Sequence, residues 1–193
     1  NDFEFFIDPS GATQPYFEVE VNPFNTIFDL LLTKPYRDGG TPITSWDVEG
    51  LKSAVKIQGT LNDPYDKEEG WTVEMALPFK SLGVNFHRNV LHEGTIWRIN
   101  FSRVEWDTKV FDGKYVKLTG NKGQPLPEHN WVWSPQGIVD MHYPERWGYL
   151  YFTTNQNQTK FDIPFAELQK LKLWHIYYLE KEYFARHKEY AKS

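Results

Sequence analysis

The sequence predicts an all-β protein: an immunoglobulin-like or jelly-roll antiparallel β-sandwich with an appended C-terminal α-helix. Short runs of alternating apolar and polar residues recur down most of the chain, separated by Gly, Pro, Asn and Asp. No strand–helix–strand rhythm interrupts them, which excludes a parallel α/β architecture. Near the end the character changes, and Phe165 to about Ala191 carries no Gly or Pro.

The first strand is Phe3–Ile7, closed by the turn Asp8-Pro9-Ser10-Gly11. In Tyr16–Asn22, Phe17, Val19 and Val21 face one way while Tyr16, Glu18, Glu20 and Asn22 face the other. Pro23-Phe24 turns the chain into Thr26–Leu32. Lys34–Gly50, with its Gly and Pro residues and Tyr36, Arg37 and Trp46, reads as a long functional loop. Lys52–Gly59 and Trp71–Leu77 alternate as strands, and Pro78 opens a short helical turn through Leu82. In Ile96–Val104, Trp97, Ile99, Phe101 and Arg103 alternate with Arg98, Asn100 and Ser102. Glu105–Pro144 reads as a second long loop, holding Trp106, Trp131, Trp133 and His142, and Arg146–Phe152 as a closing strand.

The predicted organisation is a sandwich over 1–152, a polar linker over 153–163 and an amphipathic helix over 164–193. Pro164 stands where helices accept proline. Leu168, Leu171, Ile176, Leu179 and Tyr183 recur at spacings of three to five, an apolar stripe suited to docking on the sandwich or on a partner.

Composition excludes several functions. A net charge of −5 argues against nucleic acid or an anionic membrane surface as partner. No segment is apolar over a length that would insert in a bilayer. With no Cys, thiol catalysis, disulfides and Cys-ligated zinc are all ruled out, and a bacterial exported protein is accommodated. The six His show no metal-ligand spacing, there is no Gly-x-Ser-x-Gly elbow, and scattered acids do not define a glycosidase pair. The expectation is a protein without catalysis and without a cofactor. Turn-borne Asp8, Asp29, Asp38, Asp47, Asp63 and Asp66 leave room for a structural calcium, or are simply turn formers.

Eight Trp and eleven Tyr suit a flat, wet-edged surface of the kind that stacks on pyranose rings, or a large aromatic core. Glu4, Glu18, Glu20, Glu74, Arg98, Asn100 and Ser102 all fall on the polar side of their strands. Together they read either as a solvated sheet face with cross-strand ion pairs or as a patch for sugar hydroxyls.

Several segments carry a family resemblance. Asn1–Pro9, Phe17–Asn22 and Gly70–Pro78 resemble the family 9 carbohydrate-binding modules. Leu32–Arg37, Trp97–Trp106, Trp131–Gly137 and Pro144–Gly148 resemble the family-9-like domains of Bacteroidetes-type bacteria more closely. The resemblance spans roughly residues 1–152. It implies a non-catalytic module that binds oligo- or polysaccharide, exported to the periplasm or cell surface beside polysaccharide-degrading enzymes. Glu4 matches the family's sugar-contacting carboxylate, and Glu20 replaces its binding arginine. One of the family's two sugar-sandwiching tryptophans would align near Met141-His142, and the other would precede Asn1. The implied carbohydrate-binding set is therefore Glu4, Glu20, Trp46, Arg98, Arg103, Trp106, Trp131 and His142. Strands that precede the Asn1–Pro9 run in the family are absent here, which implies completion by an N-terminal segment, a second fragment or another copy. The alternatives are an interaction module with a degenerate sugar site and, below it, a glycoside hydrolase.

Overall fold

A computed structural model of the chain describes residues 1–66, 69–83, 91–157 and 160–192. His87, and Gln158 and Thr159 of the expected linker, lie outside the described residues, as does Ser193. The chain divides into two units, Asn1–Phe152 and Thr153–Ser193. The first is mostly antiparallel β-sheet in a sandwich-like arrangement, and the second carries one α-helix.

The main sheet has seven strands: β1 (Asp2–Asp8), β2 (Tyr16–Val21), β3 (Ile27–Leu32), β4 (Pro42–Ile43), β7 (Ile96–Glu105), β10 (His129–Val132) and β11 (Gly148–Tyr151). Their order is β10-β7-β1-β2-β3-β4, and β11 pairs with the opposite half of the β7 edge from β10. All pairings are antiparallel. A second layer is the hairpin of β5 (Lys52–Gln58) and β6 (Gly70–Ala76), and a third small hairpin joins β8 (Thr108–Phe111) to β9 (Lys114–Lys117).

Alternation sorts the side chains of the main sheet onto two faces. Phe5, Ile7, Phe17, Val19, Trp97 and Ile99 form the apolar face. Met75 and Leu77 at the end of β6, with Val48, Leu82 and Trp46, pack against it. Each fully buried large side chain contributes about 1.5–3 kcal/mol by leaving water. Part of Lys34–Gly50 packs on this face, since Val48 is buried and Trp46 stacks on Phe17 with ring centroids 4.6 Å apart, while most of the segment is exposed.

The opposite face corrects the sequence reading. It is not a solvated surface: Glu4, Glu18, Arg98, Asn100 and Ser102 are all buried, alongside Phe6, Tyr16, Leu30 and Leu32. Trp147 and Met141 pack on it, so part of the supposed Glu105–Pro144 loop is a second cover. That region also contains three strands, β8, β9 and β10, which alternation did not reveal. The closing strand begins later than expected, after a 3-10 turn at Pro144–Arg146.

The helix α1 runs Phe165–His187. The Pro164 carbonyl accepts from the Glu167 and Leu168 amides, and left-handed Lys188 returns its N–H to Phe184 O at the other end. Arg186 and Glu182 pair one turn apart. At about 100° per residue, Phe165, Ile176 and Tyr183 fall on one side while Trp174 and Tyr178 fall on the other. The apolar residues therefore encircle the axis instead of forming the expected stripe, and the helix has no buried residue. No helix among the described residues is long and apolar enough to cross a membrane.

Candidate functional site

The predicted site residues do not converge on one place. β1 and β2 bring Glu4 and Glu20 directly opposite each other, with Glu18 two residues along β2 on the same face. Asp2, Glu4 and Glu20 each offer a carboxylate oxygen within 4.8 Å of the others. Burial, reinforced by neighbouring acids, pushes Glu4 and Glu18 up to about 8. Burial, and Asp2 beside it, raises Glu20 as well. This is an acidic face with little water access.

Arg98 and His142 also lie on the covered face, where they hold its cover in place. Arg98 Nη1 donates to the Glu145 carbonyl at 3.0 Å, and Nη2 donates to the Tyr149 hydroxyl at 3.3 Å. His142 Nδ1 shares a 2.9 Å hydrogen bond with the Tyr16 hydroxyl, and its ring packs against Phe6 and Tyr36. Burial lowers the His142 pKa, against the pull of Asp140. Arg37 completes the clamp, donating to both carboxylate oxygens of Glu145 at 2.9 Å and to the His142 carbonyl at 2.8 Å. Arg98 is 1% and Glu4 6% exposed, while His142 is partly buried.

Trp46 belongs to the core, as described above. Trp106 stands apart, with the Lys117 ammonium 3.1 Å from its ring centroid. Three of the turn aspartates accept backbone hydrogen bonds, two of them within their own turns. Asp8 accepts from the Ser10, Gly11 and Thr13 amides, Asp29 from Val48 N, and Asp63 from Tyr65 N. Among the described residues, the one group of three or more acids or histidines close enough to share an ion is Asp2, Glu4 and Glu20, which includes none of these turn aspartates.

Two of the predicted residues do meet, on the apolar face at the β10 edge. Trp131 lies opposite Arg103 in the β10–β7 register, and the guanidinium stands 5.9 Å from its ring centroid. Arg103 Nη2 is held 3.0 Å from Glu105 Oε2, which fixes the fork at the surface. Trp133, two residues on, donates its backbone N–H to Phe101 O and sets its ring edge-on to Phe101 at 5.2 Å. Phe101 in turn stacks on Phe3.

Trp131 is 60% exposed and Trp133 53% exposed, beside a cleft of about 430 Å³ lined by Phe3, Phe101, Arg103 and the Trp131–Trp133 segment. Phe3 and Arg103 also line an adjoining groove of about 450 Å³, whose far wall includes Glu69 and Trp71. The combination is an apolar, aromatic floor with a charged donor and a charged acceptor at its rim. The sequence places Trp131 and Arg103 in the carbohydrate-binding set, but Trp133 only among the loop aromatics and Glu105 in no role. The Trp-x-Trp spacing, which sends alternate residues to one face, was the available signal.

No family model, no curated protein and no solved structure matches this chain.

Proposed function

We propose that this chain is a non-catalytic carbohydrate-binding module of the immunoglobulin-like or jelly-roll class, exported to the periplasm or cell surface, that holds an oligo- or polysaccharide along the Trp131–Trp133 cleft. The observation that carries the reading is the pair of half-exposed indoles on one sheet face. A large aromatic left in water costs hydration free energy that packing inward would recover, so two neighbours left out invite a ligand with an apolar face. A pyranose presents such a C–H face, while its hydroxyls need donors and acceptors at the edge. Arg103 and Glu105 supply both. The adjoining groove extends the surface beyond one sugar ring, which favours a chain over a monosaccharide. The resemblance to family 9 modules points the same way, with the sugar moved from the buried Glu4 face to the opposite side of the sheet.

Isothermal titration against β-glucan, xylan and mannan oligosaccharides tests the reading. Binding to at least one is expected, and Trp131→Ala and Trp133→Ala should each weaken it tenfold or more, about 1.4 kcal/mol. Silence across all three glycan classes would sink the proposal. Release of reducing sugars during the same incubations would replace a binding module with a glycoside hydrolase.

A further inference from the structure

The covered face carries a second site that sugar binding does not use. We propose that Asp2, Glu4 and Glu20 coordinate a calcium ion between strands β1 and β2.

Three observations lead there. The three carboxylates are placed by cross-strand register and strand alternation, not by a flexible loop: Glu4 faces Glu20, and Asp2 is the next residue along the same face of β1. Their ligand oxygens lie within 4.8 Å of one another. Calcium binds carboxylate oxygens at about 2.3–2.6 Å, so two ligands on opposite sides of one ion are separated by up to about 5 Å. The spacing fits an ion in the middle.

The second observation is independent of the clustering. Glu4 is more than nine-tenths buried, and its Oε2 has no hydrogen-bond partner; Asp2 Oδ1 is likewise buried and unpartnered. A buried carboxylate oxygen without a donor costs free energy, and native structures rarely leave one so. Ser102 reaches Glu4, but not that oxygen.

The third observation concerns the ways such a group is usually satisfied. No salt bridge among the described residues reaches Asp2, Glu4 or Glu20. A shared proton between two carboxyls would draw their oxygens into a short hydrogen bond, below about 2.7 Å. Glu4 Oε2 makes no hydrogen bond at all. A hard divalent cation removes the repulsion and satisfies the orphaned oxygens together. Calcium suits the site better than magnesium, because it tolerates irregular oxygen shells, while half-buried Asp2 and Glu20 leave room for water to complete the coordination. Glu18, beside Glu20 on the same face, is itself buried. Glu4 and Glu20 lie across the sheet from the Trp131–Trp133 cleft, while Asp2 also borders the adjoining groove; the proposal does not depend on the sugar reading.

The test uses the full chain stripped with a chelator and titrated with CaCl2. Calorimetry should give one site, with a midpoint at or below about 1 mM, the range of extracellular calcium modules. The melting temperature should rise with CaCl2, less with MgCl2, and not with NaCl at matched ionic strength. Glu20→Gln and Asp2→Asn should each weaken calcium binding at least tenfold. Glu4→Gln should abolish it while melting higher than the wild type in chelator, a reversal that a merely structural role for Glu4 does not produce. If Glu4→Gln fails to fold, the Glu20→Gln and Asp2→Asn titrations decide alone. No heat and no thermal shift up to about 10 mM calcium, well above that range, would overturn the proposal. A response that survives both Glu20→Gln and Asp2→Asn would place the ion elsewhere and overturn it equally.

Discussion

Gly148 has no side chain because Trp133 occupies the place where one would stand. A Cβ there would lie 2.6 Å from the Trp133 Cζ2, inside any tolerable contact. The glycine on β11 and the indole after β10 are therefore one unit, although fifteen residues separate them in sequence. Gly148→Ala should tilt Trp133 off its seat on Phe101 and lower glycan affinity several-fold, while Trp131 keeps its partner Arg103. Shifted tryptophan fluorescence together with weaker binding is the expected pair of results; unchanged affinity would show that the Trp133 orientation does not matter. Arg98 makes the contrasting case. Its place on the polar side of β7 was legible from alternation, but its use was not. Nothing local announces that its donors are taken by Glu145 O and Tyr149, some fifty residues on. Arg98→Met should strip the buried Glu145 carbonyl and the half-buried Tyr149 hydroxyl of this donor and cost about 2–4 kcal/mol, read as a lower urea midpoint.

At the scale of elements, the strands with clean alternation were readable, and those defined by pairing alone were not. β2, β3 and β5 fall within the runs that the sequence marks, while β1 overruns its run by one residue at each end and β6 and β7 by one residue at one end. The β8–β9 hairpin was missed although it carries a signal: Asp112-Gly113 adopts positive φ at both residues, the two-residue turn that hairpins favour. β10 has no such mark, since His129–Val132 becomes a strand by pairing with the end of β7. The segment Lys34–Gly50 was legible as a long connection but not as a cover, because a tryptophan among Gly and Pro looks the same whether it faces water or a core. Trp46→Ala separates the two roles. Losing the stack on Phe17 should destabilise the fold by about 2–4 kcal/mol, at the lower side of large aromatic truncations because Trp46 is only partly buried. Sugar affinity of the folded fraction should stay unchanged, and a selective loss of binding at full stability would return Trp46 to the site.

For the whole molecule, the decisive fact is that the central strands are buried on both faces, yet one of those faces is acidic. Alternation identifies two faces but not what covers each, and here the 133–147 segment supplies the second cover from far along the chain. Acids enclosed in this way make stability depend on pH. Glu4 and Glu18 are raised from an ordinary 4.5 to about 8 by burial first and by neighbouring acids second: Glu20, Asp2 and Glu128 for Glu4, and Glu4 and Glu20 for Glu18. Raised values mean that the folded chain binds these protons more tightly than the unfolded chain does. Stability from the two groups is thus complete below about pH 4.5, the unfolded value, and is lost as pH rises through about 8. In chelator, the melting temperature of the wild type should fall over that window relative to Glu4→Gln, which cannot ionise at that position. Calcium should act most strongly at the alkaline end, where the carboxylates are charged, and so flatten the wild-type curve. Parallel curves for wild type and Glu4→Gln across the window would show that the enclosed carboxylates carry no such linkage.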